Sequence, residues 1–137
     1  MKRIGLDTNV VVSFITDRDA AQQARAAEVF SAATAGEHVI VLHQAVILET
    51  VYVLHSAYGT PPKTVSAVMK DLLSLPGVIA ADAVDWPAIW ATWPRSMKDF
   101  GDACLTAVAK AGTFDLLATF DAAFSRRARK QGLEAYW

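Results

Sequence analysis

The sequence predicts an α/β fold of three layers, with a mainly parallel central sheet of about five short strands and helices on both faces. Three observations carry this expectation. Short apolar runs alternate with longer segments of helical periodicity. The runs lack clean polar–apolar alternation, as strands do when both sheet faces are covered. Aspartates before the helical segments and glycines after them supply start and stop signals.

Each element follows in chain order. Arg3 to Leu6 reads as the first strand. A helix over 20–35 opens after Asp19 and closes before Gly36. Val39 to Leu42 is the second strand. The segment 45–58 is apolar nearly all round, so it is expected to be a buried helix. Pro62 suits the first turn of a helix reaching Ser74, where its missing N–H costs little. Val78 to Ala80 is the third strand, and a short helix over 87–92 stops before Pro94. Helices over 102–110 and 122–130 flank a strand over 116–118, and 134–136 is the last strand. No repeat and no long linker interrupts the 137 residues, so 1–137 is expected to be a single domain.

Composition narrows the function classes. Hydrophobic residues are 53% and charged residues 20%, which supports a core and excludes disorder. Lys plus Arg total 13 and Asp plus Glu 14, a net charge of −1. That is neither a strongly basic nucleic-acid binder nor an acidic tail. No apolar run approaches the ~20 residues of a membrane span. Lys2 and Arg3 are followed by Asp7 and Asn9, which interrupt any signal-peptide pattern. One cysteine, Cys104, cannot form an intrachain disulfide, and with the rest this points to the cytoplasm. Neither GxxxxGK[ST] nor GxGxxG is present, so nucleotide-binding readings lose their main support.

The acids are more informative. Asp7 follows the first strand in LDTNV, and Glu49 lies about one turn into the helix after the second. Asp99 and Asp102 open a later helix in DFGDACLTAVA, and Asp121 follows an apolar run in LLATFDAAF. Each aspartate has a capping reading: an Asx turn at Asp7, N-caps at Asp99 and Asp121, a first-turn dipole partner at Asp102. For Glu49 the structural reading is a buried salt bridge, because an unpaired carboxylate in an apolar helix is costly. Taken together, strand C-termini and the helix N-termini that follow them share one sheet edge, so all five acids are expected on one rim. Two like charges ~4 Å apart repel by about 4 kcal/mol at an effective dielectric of 20. Either protons or a cation must relieve that repulsion. Oxygen ligands without nearby Cys or His favour Mg²⁺ or Mn²⁺ over Zn²⁺.

These residues resemble a known family. LDTNV, Glu49, DFGDACLTAVA and TFDAAF look like the acidic motifs of PIN-domain nucleases, over nearly the whole chain. Their order and spacing, in a chain of this length, are most similar to the VapC toxins of bacterial VapBC toxin–antitoxin pairs. The resemblance implies a PIN-like fold and an Mg²⁺- or Mn²⁺-dependent endoribonuclease that inhibits growth until an antitoxin neutralises it. It implies catalytic and metal-binding roles for Asp7, Glu49, Asp102 and Asp121, with Asp99 a possible additional acid and Asn9 and Thr119 as site support. It also implies RNA as substrate, a VapB-like antitoxin as partner, and a homodimer. WPAIWATWPRSMK departs from the usual pattern in a stretch that normally varies.

Other residues keep two readings. Trp86, Trp90 and Trp93 recur at helical spacing, as core or as a platform for a base or an antitoxin side chain. Arg126, Arg127, Arg129 and Lys130 form a solvated face or contact phosphate, as Arg95 and Lys98 do if they lie near the rim. His43 sits near the expected rim, and Cys104 reads as a small core hydrophobe. Two alternatives to a nuclease stay open. One is an aspartyl-phosphate phosphatase with Asp7 as nucleophile, although position 9 is Asn where a second aspartate is usual. The other is a non-catalytic acid-rimmed binding module.

Overall fold

Parallel strands need crossovers, and in this chain helices supply them. A computed structural model describes residues 1–81, 83–112, 115–117, 119 and 121–135. It resolves into two compact units, Met1–Ala83 and Val84–Trp137.

In the first unit β1 (Lys2–Gly5), β2 (His38–Leu42) and β3 (Val78–Ala80) pair in that order, all parallel. Ile4 sits opposite Ile40, and Ile40 opposite Val78. The β1–β2 crossover carries α1 (Thr8–Ile15) and α2 (Ala20–Thr34). The β2–β3 crossover carries α3 (Gln44–Tyr52), a π-helical stretch (Val53–Ala57) and α4 (Pro62–Leu73). Ile40, Leu42, Ile47, Val65 and Met69 are fully buried and form the heart of this unit's core. Gly77 has φ +80, and a Cβ there would strike the Ala33 carbonyl. Glycine therefore lets the start of β3 lie directly against the end of α2.

In the second unit α5 (Trp86–Thr92) and α6 (Phe100–Lys110) precede β4 (Leu116–Leu117), α7 (Ala122–Lys130) and β5 (Glu134–Ala135). β4 and β5 are parallel, with Leu116 opposite Glu134. The core holds Trp86, Ile89, Trp90, Trp93 and Met97, all buried. The Trp90 ring stacks on Trp86 at 5.6 Å and on Phe100 at 6.1 Å between centroids. The tryptophans are thus core rather than an exposed platform.

The α/β class and the parallel pairing match expectation. The described residues pair as a three-stranded and a two-stranded sheet, because β4 and β5 are each only two residues long and ladder with each other. The expected strand ends at 118 and 136 lie outside the described residues.

Two expectations are corrected. First, α1 was not anticipated: Val10, Val11 and Val12 favour strand by propensity. Packing against α2 and α3 overrides that, burying Thr8, Val11 and Val12 on one face and stacking Phe14 on Phe30 at 3.9 Å. Second, the segment 45–58 is not buried all round. Burial follows Ile47, Thr50, Val51 and Leu54, spaced as one helix face, while Glu49 and Tyr52 are exposed. The α-helix ends at Tyr52 and the chain continues through the π-helical turn. No helix among the described residues is long and apolar enough to cross a membrane.

Candidate active site

In the first unit, Asp7 lies beyond the C-terminal end of β1 and caps α1. Its Oδ1 accepts the Thr8 N–H at 2.7 Å. Thr8 is buried and turns its hydroxyl toward α3, where it donates to Glu49 Oε2 at 3.0 Å. The residue next to Asp7 therefore orients Glu49. Glu49 is exposed, and its partner is a hydroxyl rather than the buried cation that its apolar helix suggested. Thr8→Val removes this bond with little change of shape. It is expected to lower stability by about 1 kcal/mol in urea denaturation, with Thr8→Ser costing less. Asn9 is exposed, and its carbonyl, not its side chain, is engaged, by Arg18 Nη2 at 3.5 Å. His43 caps α3, with Nδ1 accepting the Ala45 N–H at 3.1 Å.

In the second unit, Asp99 caps α6 and its Oδ1 accepts the Asp102 N–H at 2.9 Å. Asp121 caps α7, its Oδ1 accepting from Ala123 at 2.9 Å and Phe124 at 3.1 Å. Thr119 Oγ1 accepts the Asp121 N–H at 3.1 Å and so fixes the approach to that cap. Capping and function are compatible here, because each cap engages one carboxylate oxygen and leaves the other available.

Charge is concentrated around Asp102. Partial burial first, then the negative charges of Asp99 and Asp121, raise its carboxyl above the ordinary value of 3.8, with Arg127 opposing. Asp99, Asp121 and Arg127 thus all lie within electrostatic reach of Asp102. The same setting pushes the half-buried Cys104 thiol up to about 12, through burial first and Asp99 second. That thiol is inert at neutral pH.

Arg95, Lys98 and Arg126 are the possible RNA contacts. All three are exposed, and it is Arg127 that acts on Asp102. Helix phase decides this, since neighbouring residues differ by about 100° around the axis. Among the described residues no three His, Cys, Asp or Glu side chains stand close enough together to hold a metal ion. The donor chemistry of the acids is nevertheless all oxygen, which suits a hard divalent cation.

A family model described as the PIN domain matches residues 4–130. No curated protein matches the chain in sequence.

Proposed function

Since the chain belongs to the PIN-domain family, whose members are generally metal-dependent nucleases, we propose that it is an Mg²⁺- or Mn²⁺-dependent endoribonuclease and the toxin of a type II toxin–antitoxin pair. The observation that carries this reading is the raised carboxyl of Asp102, pushed up first by partial burial and then by the charges of Asp99 and Asp121, with Arg127 opposing. A structural cap needs one aspartate per helix. Three within electrostatic reach cost stability unless a cation neutralises them. The family match spans both units, which supports reading 1–137 as a single PIN-like domain.

In this proposal the motif resemblance, rather than a grouping of side chains, assigns the cation to Asp7, Glu49, Asp102 and Asp121, with Asp99 as an additional acid. A bound divalent ion supplies Lewis acidity toward a phosphoryl oxygen and makes water a nucleophile near neutral pH. The protein groups have separate tasks. Thr8 keeps Glu49 in one orientation, Thr119 seats Asp121, and Arg127 balances charge beside Asp102. The toxin role, a VapB-like antitoxin and a homodimer rest on the order and spacing of LDTNV, Glu49, DFGDACLTAVA and TFDAAF, and a cytoplasmic setting on the single cysteine, Cys104.

The test is direct. Purified protein is incubated with end-labelled RNA, and with DNA of the same sequence, in Mg²⁺, in Mn²⁺ or in EDTA. The expected result is metal-dependent cleavage of RNA leaving 5′-phosphate and 3′-hydroxyl ends. Cleavage unaffected by EDTA, or none in either metal, overturns the proposal. Growth arrest on induced expression tests the toxin role separately.

A further inference from the structure

We propose that the groove between α1 and α2 binds the sugar–phosphate backbone of the RNA strand beside the bond that is cut, with Arg18 and Arg25 on its phosphates. This inference rests on the ribonuclease reading above and adds where the substrate lies.

The groove has a volume of about 450 Å³, and its lining includes Asn9, Ser13, Arg18, Gln22, Arg25 and Glu28. Arg18 is held in place. Its Nε and Nη2 donate to Ser13 Oγ at 3.2 and 2.9 Å, and Nη2 also reaches Gln22 Oε1 at 3.1 Å. Ser13 is buried and donates in turn to Gln22 Oε1 at 3.3 Å. Arg18 Nη1 has no hydrogen bond among the described residues, so an oriented guanidinium keeps one edge spare. A fixed, planar cation of this kind suits phosphate and has little ordering entropy left to lose.

Arg25 is exposed and has no hydrogen bond or ion pair among the described residues. The two arginines outweigh Glu28, the one carboxylate in the lining. Position selects the ligand. The lining includes Asn9, in the first turn of α1 and two residues beyond Asp7. From Asn9 to Ser13 is one helical turn, roughly 6 Å along the axis. A ligand that lies on Arg18 and Arg25 and also reaches Asp7 is an extended polyanion. A net charge of −1 provides no general attraction for RNA, so phosphate contacts must be supplied locally.

The experiment measures binding separately from cleavage. Fluorescence anisotropy of a labelled single-stranded RNA is followed with the full chain carrying Asp102→Asn, in Mg²⁺, over a range of salt. Adding Arg25→Gln is expected to raise Kd by about fivefold and to reduce the log–log salt slope by about 0.7. Glu28→Gln is expected to tighten binding. Lys63→Gln, an equal charge loss at an exposed position on α4, is expected to leave Kd unchanged. Arg18→Gln is read beside its circular dichroism spectrum, because Arg18 ties α1 to α2. Arg25 makes no such tie, so its variant stays folded. The inference is overturned if Arg25→Gln matches its parent, if Lys63→Gln weakens binding equally, or if the parent binds no RNA. Wild-type cleavage with unchanged Arg25→Gln binding overturns this inference alone, whereas loss of the ribonuclease reading appears only in the cleavage assay.

Discussion

Asp102→Asn is expected to cut RNA cleavage by at least about 100-fold while raising the melting temperature of the metal-free protein at neutral pH. The two effects have one origin. Burial and the charges of Asp99 and Asp121 raise the folded-state affinity of Asp102 for a proton above the ordinary value of 3.8. Below that value the carboxyl is neutral whether the chain is folded or not. As pH rises past it, the unfolded chain ionises first and the folded protein binds more protons, so stability falls with rising pH. The fall ends once the folded carboxyl has also ionised, and the loss persists at neutral pH. Asparagine keeps the shape and abolishes the charge, so that loss disappears. Magnesium reverses the order of the two proteins. At about 100 times its Kd a ligand stabilises the protein that binds it by about 2.7 kcal/mol, and Asp102→Asn loses much of that gain. Wild-type activity should therefore fall on acidification, because cation binding requires the ionised form. Thermal melts with and without Mg²⁺, beside a pH–rate profile, check every part. A metal-free variant no more stable than wild type, with cleavage retained, would contradict the role given to Asp102.

What could be read from the chain, and what could not, divides along physical lines. The caps at Asp19, Asp99 and Asp121 were legible because capping is local: the side chain bonds an N–H within three residues. The strands were legible as apolar runs, and the parallel pairing as their alternation with helices. α1 was not, because three consecutive valines carry a strand propensity that only contacts with α2 and α3 reverse. The acids were legible as types. Their environments were not. Glu49 is exposed and tied to Thr8, a partner 41 positions away, and nothing local announces that bond. Arg127 rather than Arg126 acts on Asp102, a distinction of helix phase between adjacent arginines. The Arg18–Ser13–Gln22 network likewise exists only once α1 packs on α2.

Trp90→Ala is expected to lower the melting temperature by roughly 10–20 °C, the largest loss of stability predicted for a single position in this chain. Trp90 is 8% exposed and stands between Trp86 and Phe100, with interplanar angles of 20° and 7°, and Trp93 tilts against it at 6.4 Å. Truncation removes the transfer term and leaves a cavity that three other rings cannot fill without leaving their own contacts, at a cost of about 3–5 kcal/mol. That is a large part of the stability of an ordinary domain, about 5–15 kcal/mol. The consequence reaches the candidate site through one residue. Phe100 opens α6 directly after its cap Asp99, so the stack on Trp90 also sets where Asp99 and Asp102 stand. Cleavage by the fraction that remains folded should therefore fall too, and Trp90→Phe should restore most of both losses. A surface platform for bases would behave oppositely: Trp90→Ala would keep its melting temperature and lose RNA affinity. Differential scanning fluorimetry and the anisotropy titration on the same sample separate the two, because a buried ring cannot be removed without cost to the fold and an exposed one can.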